Sequence, residues 1–547
     1  MFDNKTMGNR MEKDQRVRVF ISPTRIVWKS TAGISGENGL ISEKIAECKM
    51  LRDPGAVAPG ILLDFGCELH GGLRIECPNN SEFRPAKFRV RFGESVSEAM
   101  GQPNNDHAVH DFEAQVPAMG YTELGCTGFR FVRLDLLEEG ISVELNAIKA
   151  VAIYHDVPYL GSFECNDERL NEIWKVGART VHLCLQDHLW DGIKRDRLVW
   201  IGDIHPETRV VSAVFGKLDV VEKSLDYARD KYALPTWMNG ISSYSLWWVI
   251  THSDWYRYHG DMAYLTQQKE YLLGLLEVLM QNVDSDGQET LGEFRFLDWP
   301  TSEDKDAVSA GLQALLILAL KAGAELCVAL GEDSIAKKVS DCARLATAYK
   351  KPASSRKSPN ALMVLAETVS AKEANKTLLS VDPLRDVSVF YGYYVLQARA
   401  KAGDYLGCLE VIRNCWGGML DLGATSFWES FDLDWKEGAA GITELVPEGM
   451  KDIHADFGEY CYKGLRHSLC HGWSAGPTAW LTEHVLGLSP LEPGFKVVKV
   501  APNLVDLRWA RGTIPTPSGV IEVVHEAQSN GEVKTNISAP DGIKIIM

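Results

Sequence analysis

The sequence predicts a multidomain, mainly α-helical protein in which a closed ring of helices lies between two β-rich regions. Three observations predict this fold class. Strand-like alternation fills the first part of the chain, helical periodicity replaces it near Ser162, and strand patterns return from Pro490. We therefore predict an N-terminal β-sandwich domain at 1–160, a helical domain at 161–488 and a small C-terminal β-sandwich domain at 489–547.

Short runs of β-branched and aromatic residues, separated by Gly, Pro and Asn, mark the N-terminal region. The clearest runs occupy residues 17–21, 60–65, 88–92 and 129–134. The last two alternate with a period of two, which is typical of strands with one buried face. A succession of such strands predicts a β-sandwich.

Helical periodicity begins after Asn166 and Asp167, whose side chains can cap a helix N-terminus. The apolar residues of this first helix share one face: Leu170, Ile173, Trp174, Gly177 and Val181. Further helices are predicted at 207–215, 220–232, 246–258, 263–281, 307–330, 335–349, 387–401, 405–416 and 474–486. No fixed repeat of about 34 or 40 residues is visible, which disfavours a solenoid. A closed α/α toroid is therefore preferred.

Strand patterns return at the C-terminal end of the chain, at 495–500, 519–524 and 533–537. Residues 515–519, Pro-Thr-Pro-Ser-Gly, predict a turn before the second of these strands. The sequence thus predicts a small β domain packed on the helical one.

Charge and hydropathy exclude two classes of partner. The formal net charge is −17, and binding to a nucleic-acid backbone depends on clustered Lys and Arg, so no nucleic-acid partner is expected. The longest apolar run, residues 310–322, contains Gln313 and Lys321 and falls short of the roughly 20 residues that a membrane span needs. We interpret it as a buried helix and expect no membrane partner.

The cellular location is predicted from the N-terminus and the cysteines. Residues 1–15 are charged throughout and contain no apolar signal region, so no export signal is expected. The 12 cysteines form no CxxC pair, which is typical of free thiols in a reducing compartment. We expect a cytoplasmic protein, or a periplasmic one if a signal has been removed. The oligomeric state stays open.

The most informative segment is 191–203, Asp-Gly-Ile-Lys-Arg-Asp-Arg-Leu-Val-Trp-Ile-Gly-Asp, which lies between two helical patterns. An ordinary solvated charge run would not contain Trp200 and Gly202. Carboxylates beside guanidinium groups and an indole can hold a sugar ring, because charged groups bridge its hydroxyls and the aromatic face covers its apolar side. The segment therefore predicts a sugar-binding site.

Carboxylates suited to glycoside hydrolysis occur in two places. This chemistry needs a protonated acid and an ionised base on either side of the scissile bond. The candidates are Asp191, Asp196 and Asp203 in the first segment, and Glu429 in residues 423–430. A lone Asp is more often a surface or capping residue. The charge density of the first segment, and the two aromatic residues before Glu429, favour a site instead.

Aromatic residues and one histidine extend the set of candidates. The chain has 15 tryptophans, and although most tryptophans are core residues, Trp200, Trp247 and Trp299 occur in settings that suit a sugar platform. His471, in Cys-His-Gly-Trp-Ser just before a helix, is either a structural histidine or part of the site. No HExxH motif, zinc-type cysteine spacing, GxGxxG or P-loop occurs, so no metal site and no cofactor are predicted.

Three motifs together carry a family resemblance. The pattern Asp-x-x-x-Arg-Asp-Arg-x-x-Trp-x-Gly-Asp, followed downstream by Gly-Ala-Thr-x-x-Trp-Glu and His-Gly-Trp-Ser-Ala-Gly, resembles the α-L-rhamnosidases of glycoside hydrolase family 78. Residues 63–66 and 91–94 look like that family's N-terminal β-sandwich, and 516–521 like its C-terminal β domain. The resemblance implies an (α/α)6 barrel between two β domains, an inverting mechanism without a metal, and a small-molecule or oligosaccharide rhamnoside as substrate.

The resemblance also implies roles for individual residues. Glu429 looks like the general base. The expected substrate contacts are Asp191, Arg195, Trp200, Asp203, Trp299 and His471. Members of the family read Arg-Asp-Glu-Arg-Leu-Gly-Trp, with the glutamate as general acid; here the loop is one residue shorter and that glutamate is absent. Counting back from Trp200, the acid position falls on Asp196.

Two alternatives to a rhamnosidase remain open at the level of sequence. One is a degenerate homologue that binds rhamnosides without hydrolysing them. The other is a hydrolase of the same fold that acts on another glycoside, such as an α-mannoside or a uronic acid. A uronic acid is disfavoured because its carboxylate needs an unpaired cation, whereas Arg195 is flanked by aspartates.

Overall fold

Strands, helices and strands follow one another along the chain in the predicted order. The computed structural model describes residues 14–42, 45–102, 111–292 and 294–547. Most of the N-terminal segment that is predicted to lack an export signal, residues 1–13, lies outside the described residues.

The N-terminal region forms two antiparallel sheets around a shared apolar core that includes Leu63, Phe88 and Ile141. The larger sheet contains, in spatial order, Arg16–Ile21, Ala147–His155, Gly60–Cys77, Gly120–Leu136, Ala86–Gly93 and Asp111–Val116, with Arg25–Lys29 also paired to Gly60–Cys77. The smaller sheet contains Ile34–Ser35, Cys48–Arg52, Ile141–Leu145 and Asn79–Asn80. The strand predicted at 60–65 is longer than expected because two register shifts interrupt its alternation without ending its pairing.

The helical region forms two concentric rings in which inner and outer helices alternate along the chain. Among the described residues, the inner ring contains Ile201–Val214, Ser242–His259, Lys305–Ala329, Lys357–Leu365, Gly392–Lys401 and Gly476–Trp480. Each inner helix packs on the next, and the last returns to contact the first, which closes the ring. The outer ring contains Glu168–Cys184, Asp219–Lys231, Met262–Gln281, Asp333–Ala348, Ala371–Ala374 and Tyr405–Val411. This is an (α/α)6 barrel.

Two inner helices differ from the sequence prediction. Ile201–Val214 begins six residues before the predicted start at residue 207. Pro206 lies in its second turn and does not end the helix there, because it removes only one helical hydrogen bond. Lys357–Leu365 was not predicted, since it is short and has Pro359 in its first turn. The predicted cap is confirmed: the Asp167 carboxylate accepts a hydrogen bond from the Arg169 amide at 2.9 Å.

The longest helix, Lys305–Ala329, is the only one among the described residues whose length and composition would allow it to cross a membrane. In the structure, 67% of its most apolar window is buried. It packs against the inner helices Ser242–His259 and Lys357–Leu365 and the outer helix Asp333–Ala348. Core helices pass the same test of length and composition, so the helix is accounted for by its place in the barrel.

The C-terminal region forms two small sheets. One contains Ser162–Cys165, Trp509–Thr516, Gly519–Ala527 and Val533–Ser538, and the other contains Leu488–Pro490, Val497–Val500 and Lys544–Ile546. The fold class predicted from the sequence, an (α/α)6 barrel between two β-sandwiches, is thus confirmed. The domain boundaries stay predictions. The predicted boundary at residue 160 places the strand Ser162–Cys165 in the helical domain, although this strand pairs with Trp509–Thr516 of the C-terminal region.

Candidate active site

A cavity of about 170 Å³ lies at the N-terminal ends of inner helices. Trp200 and Ile241 are the residues that precede two of these helices, and His471 precedes the turn that leads into a third. Helix N-termini carry partial positive charge and favour anionic side chains nearby. Eight of the nine predicted site residues line this cavity: Asp191, Arg195, Asp196, Trp200, Asp203, Trp299, Glu429 and His471.

The segment 191–203 folds back on itself, so that its charged residues converge. The Asp191 carboxylate accepts a hydrogen bond from the Leu198 amide at 2.8 Å, and the Asp191 amide donates to the Leu198 carbonyl. Between them, Asp196 and Arg197 both have left-handed backbone conformations, with φ of 55° and 52°. Non-glycine residues rarely adopt this conformation, and such strain concentrates at functional sites. The turn places the Asp196 side chain, which is 42% exposed, at the cavity.

Arg195 joins the two candidate catalytic carboxylates. Its Nη2 donates to Glu429 Oε1 and Oε2 at 3.0 and 2.7 Å, and its Nη1 lies 3.5 Å from Asp196 Oδ1. Its Nε donates to the Arg466 carbonyl at 2.8 Å. The sequence predicted that Arg195 binds sugar hydroxyls, whereas the structure commits its guanidinium to protein groups. Arg195 therefore orients Glu429.

Glu429 is nearly buried, with 8% of its side chain exposed. Besides Arg195, the Ser468 amide donates to its Oε2 at 3.2 Å. Among the residues that the structure describes, Arg195 is the only donor to its Oε1, which lies 4.0 Å from His471 Nδ1. A carboxylate oxygen has two acceptor sites, so Oε1 keeps one that can bind a water in the cavity.

Asp203 and His471 form a buried pair, with His471 Nε2 3.1 Å from Asp203 Oδ1. Burial, together with the nearby charge of Asp196, raises the pKa of Asp203 well above its usual range. Burial lowers the pKa of His471 to about 4. Burial thus favours the neutral form of each side chain. One hydrogen bond joins them, and their other polar atoms remain for substrate hydroxyls.

A third carboxyl, Asp191, lies beside them and is also buried. Desolvation raises its pKa well above the usual value, and the charge of Asp203 adds to the rise. Its backbone carbonyl accepts a hydrogen bond from the Gly472 amide, which ties the 191–203 segment to the His471 turn. A neutral carboxyl group both donates and accepts, which suits sugar hydroxyls.

Aromatic rings form the walls of the cavity. Trp200 meets Tyr244 edge to face at 6.0 Å, and Trp299 meets Phe296 edge to face at 5.1 Å. The rings of His471 and Trp473, which also line the cavity, have centroids 4.3 Å apart. Such surfaces cover the apolar faces of a pyranose.

Trp247 is the one predicted site residue that the structure places away from this cavity. Its side chain is 2% exposed and lies outside the cavity lining. Its indole stacks on His205 and Tyr394, with ring centroids 4.8 Å away in each case. Trp247 lies in the middle of an inner helix that is buried on most sides, and there the sequence pattern does not distinguish a packing position from a pocket position.

Sequence reasoning missed six residues of the cavity: Ile241, Tyr244, Phe294, Phe296, Cys461 and Trp473. Trp473 belongs to the His-Gly-Trp motif and could have been found from its neighbour His471. Phe294, Phe296 and Trp299 place three aromatic residues within six positions, and this density could have indicated an aromatic wall of a sugar site. Ile241 and Cys461 carry no pattern that distinguishes them from core residues.

Comparison with known proteins shows which families share this architecture. The family model described as the bacterial alpha-L-rhamnosidase 6 hairpin glycosidase domain matches residues 158–356, and that of the bacterial alpha-L-rhamnosidase C-terminal domain matches residues 487–546. A solved family 78 rhamnosidase of Bacillus sp. GL1 superposes with a TM-score of 0.74 at 22% identity, over 90% of this chain and 53% of that one. Residues 158–356 and 487–546 therefore match two domains of the bacterial alpha-L-rhamnosidases, and the fold is that of the solved family 78 rhamnosidase. These matches support the family resemblance that the sequence motifs carry.

Two further proteins are similar to this chain over most of its length. An alpha-L-rhamnosidase of Alteromonas sp. (strain LOR) is 23% identical over 88% of this chain and 55% of the relative. A rhamnosidase from Klebsiella oxytoca, solved with rhamnose bound, has a TM-score of 0.68 at 17% identity over 86% of this chain and 96% of that one. The chain spans about half the length of the curated relative from Alteromonas.

Proposed function

We propose that the chain is an inverting glycoside hydrolase that releases terminal α-L-rhamnose from small-molecule or oligosaccharide rhamnosides. The observation that carries this proposal is that two carboxylates, Asp196 and Glu429, both contact the Arg195 guanidinium and both line one cavity. An inverting enzyme needs two such carboxyl groups with room between them for a water beside the sugar. The cavity of about 170 Å³ fits a single sugar ring and therefore favours terminal residues.

In this mechanism Glu429 is the general base. Arg195 and the Ser468 amide fix its carboxylate, and the free acceptor site of Oε1 takes a proton from the attacking water. A fixed base converts the attack into a step between groups that are already in position. The water then adds to the anomeric carbon from the face opposite to the leaving group.

Asp196 is the general acid. It donates a proton to the glycosidic oxygen as the bond to the leaving group breaks. Its side chain is 42% exposed, so it can regain a proton from solvent after each turnover. Asp191, Asp203 and His471 hold the ring hydroxyls from the buried side of the cavity.

Release of p-nitrophenol from p-nitrophenyl α-L-rhamnoside tests this proposal. We expect turnover by the wild type and a loss of about 10²-fold or more in kcat for Glu429→Gln, since general acid–base catalysis contributes about 10²–10⁴-fold. Absence of release by a folded wild type would refute the hydrolase. The p-nitrophenyl α-mannoside serves as the control for sugar specificity.

A rhamnoside-binding homologue without turnover is the second candidate. It is favoured by the contact of Arg195 with both Glu429 oxygens, which opposes proton uptake by the base. Titration with rhamnose, followed by tryptophan fluorescence, separates the two. Binding together with nitrophenol release supports the hydrolase, and binding without release supports the binder. The cytoplasmic location and the absence of nucleic-acid and membrane partners stay predictions.

A further inference from the structure

A buried lysine directly precedes the catalytic loop residue Arg195. The Lys194 side chain is fully buried, and its Nζ lies 2.9 Å from Glu98 Oε1 and 3.4 Å from Glu94 Oε2. Both glutamates come from the N-terminal β-sandwich, immediately after the strand Ala86–Gly93. An ammonium group is costly to bury unless it is paired and fully hydrogen-bonded.

Lys194 and Arg195 together hold three successive carbonyl groups of another segment. Lys194 Nζ donates to the Leu465 and His467 carbonyls at 2.7 and 2.8 Å. Arg195 Nε donates to the intervening Arg466 carbonyl at 2.8 Å. Two adjacent cations thus make three contacts with this short strip, residues 465–469. The strip has no regular secondary structure beyond one helical turn.

The next two amides of the same strip face carboxylates. The Ser468 amide donates to Glu429 Oε2 at 3.2 Å, and the Leu469 amide donates to Glu94 Oε2 at 2.6 Å. In return, the Glu429 amide donates to the Ser468 carbonyl at 2.9 Å. The position of the proposed base therefore follows the position of the strip, and Lys194 holds the strip.

The same cluster resembles a metal site, but the lysine takes the place of the ion. Ligand atoms of Glu94, Glu98 and His454 lie within 4.8 Å of one another. Lys194 Nζ lies 3.5 Å from His454 Nε2 as well as close to both carboxylates. His454 Nε2 is 2.9 Å from the His467 carbonyl; because a carbonyl only accepts, this nitrogen bears a proton and cannot bind a metal.

We propose that Lys194 is a positioning residue for the reaction and that, through Glu98 and Glu94, the N-terminal β-sandwich is part of the catalytic apparatus. Lys194 fixes the strip that orients Glu429, and as the neighbour of Arg195 it fixes the loop that carries Asp196. The inference rests on the proposed function, because it assigns Lys194 to the geometry of those two carboxyls.

The double variant Lys194→Met/Glu98→Gln tests this role by removing the ammonium together with the nearer of its two carboxylate partners. We expect kcat to fall about 100-fold, since a displacement of about 1 Å at the reacting groups costs a factor of this size, while KM stays within about threefold. The matched control is Lys49→Met/Glu144→Gln, an exposed pair of the same residue types within the N-terminal β-sandwich. A folded double variant with the kcat of the wild type would overturn the inference.

Two further measurements keep the test decisive. If the double variant does not fold, the milder variant Glu98→Gln replaces it, because its amide oxygen still offers an acceptor to Lys194. We expect a smaller displacement than in the double variant and a kcat about tenfold below that of the wild type. An unchanged kcat in Glu98→Gln would overturn the inference. A crystal structure of the folded variant is independent of activity. We expect the Ser468 amide to lose its contact with Glu429, and a contact kept at 3.2 Å would overturn the positioning role even if the wild type proved inactive and the proposed function failed.

Discussion

Replacement of Arg195 by Met separates two roles that the sequence and the structure assign to this residue. The change removes the guanidinium that holds Glu429, while the methionine keeps the unbranched apolar part of the side chain. Both contacts to Glu429 come from one nitrogen, Nη2, so we count them as one hydrogen bond between charged groups. Such a bond contributes about 1.5–3 kcal/mol.

If that free energy acts in the transition state, kcat falls about 10- to 150-fold, at about 1.4 kcal/mol for each factor of ten. KM changes little, because Arg195 orients the base rather than the sugar. The assay is steady-state hydrolysis of p-nitrophenyl α-L-rhamnoside over a range of substrate concentrations. Arg197→Met is the matched control, since Arg197 lies in the same turn but donates to the Cys126 carbonyl.

The refuting result is a change in KM alone. An Arg195→Met variant with the kcat of the wild type and a raised KM would mean that the guanidinium leaves Glu429 and binds the sugar hydroxyls, as the sequence suggested. A loss of similar size in Arg197→Met would show that the turn as a whole, and not the contact to Glu429, is the sensitive element.

Further predictions concern the acid, the aromatic residues and the pH dependence of stability. Asp196→Asn should slow hydrolysis of an alkyl rhamnoside far more than that of the p-nitrophenyl glycoside, because a poor leaving group depends more on protonation; equal losses would argue against Asp196 as the acid. Trp247→Ala should lower the free energy of unfolding by about 3–5 kcal/mol without raising KM, whereas Trp200→Ala should raise KM, as measured by denaturant unfolding and kinetics. Burial lowers the pKa of His252 to about 4 from 6.5, so its contribution to stability is fully present above pH 6.5 and is lost as the pH falls towards 4. His252→Leu should therefore lose less stability than the wild type between these pH values, by up to about 3 kcal/mol, and an identical pH dependence of thermal unfolding would contradict this.

The parts of the site that sequence could predict are those that lie close together along the chain. Asp191, Asp196 and Asp203 occur within one turn-forming segment, and its density of charge around Trp200 indicated a site before any contact was known. The partner of Arg195 could not be predicted in this way. Glu429 lies 234 positions away, and no periodic pattern says which way a guanidinium points.

The errors in predicting the helices also arise where the sequence pattern carries little information. The inner helices are buried on all sides, so the amphipathic pattern that locates surface helices is weak in them. Trp247 was therefore assigned to the site, and Lys357–Leu365 was not recognised at all. Longer outer helices with one exposed face were predicted closely, as for Asp219–Lys231 against the expected 220–232. The outer helix Ala371–Ala374 was not predicted, because four residues are too few to show a helical period.

The role of Lys194 was also beyond the sequence. In the charge-rich segment it is one of three cations that look alike, yet its ammonium is buried between two domains while that of an ordinary lysine would be solvated. The distinction depends on Glu98, which belongs to another domain. Burial of an ionisable group by distant parts of the chain is a property of the tertiary structure alone.

The stereochemistry of the first product tests the central claim most directly. Hydrolysis of an α-L-rhamnoside is followed by proton NMR from the first seconds, before the released sugar mutarotates. Attack by a water activated by Glu429, opposite to a leaving group protonated by Asp196, predicts that β-L-rhamnose appears first. Initial release of α-L-rhamnose would mean that one of the two carboxylates acts as a nucleophile, and would contradict the account.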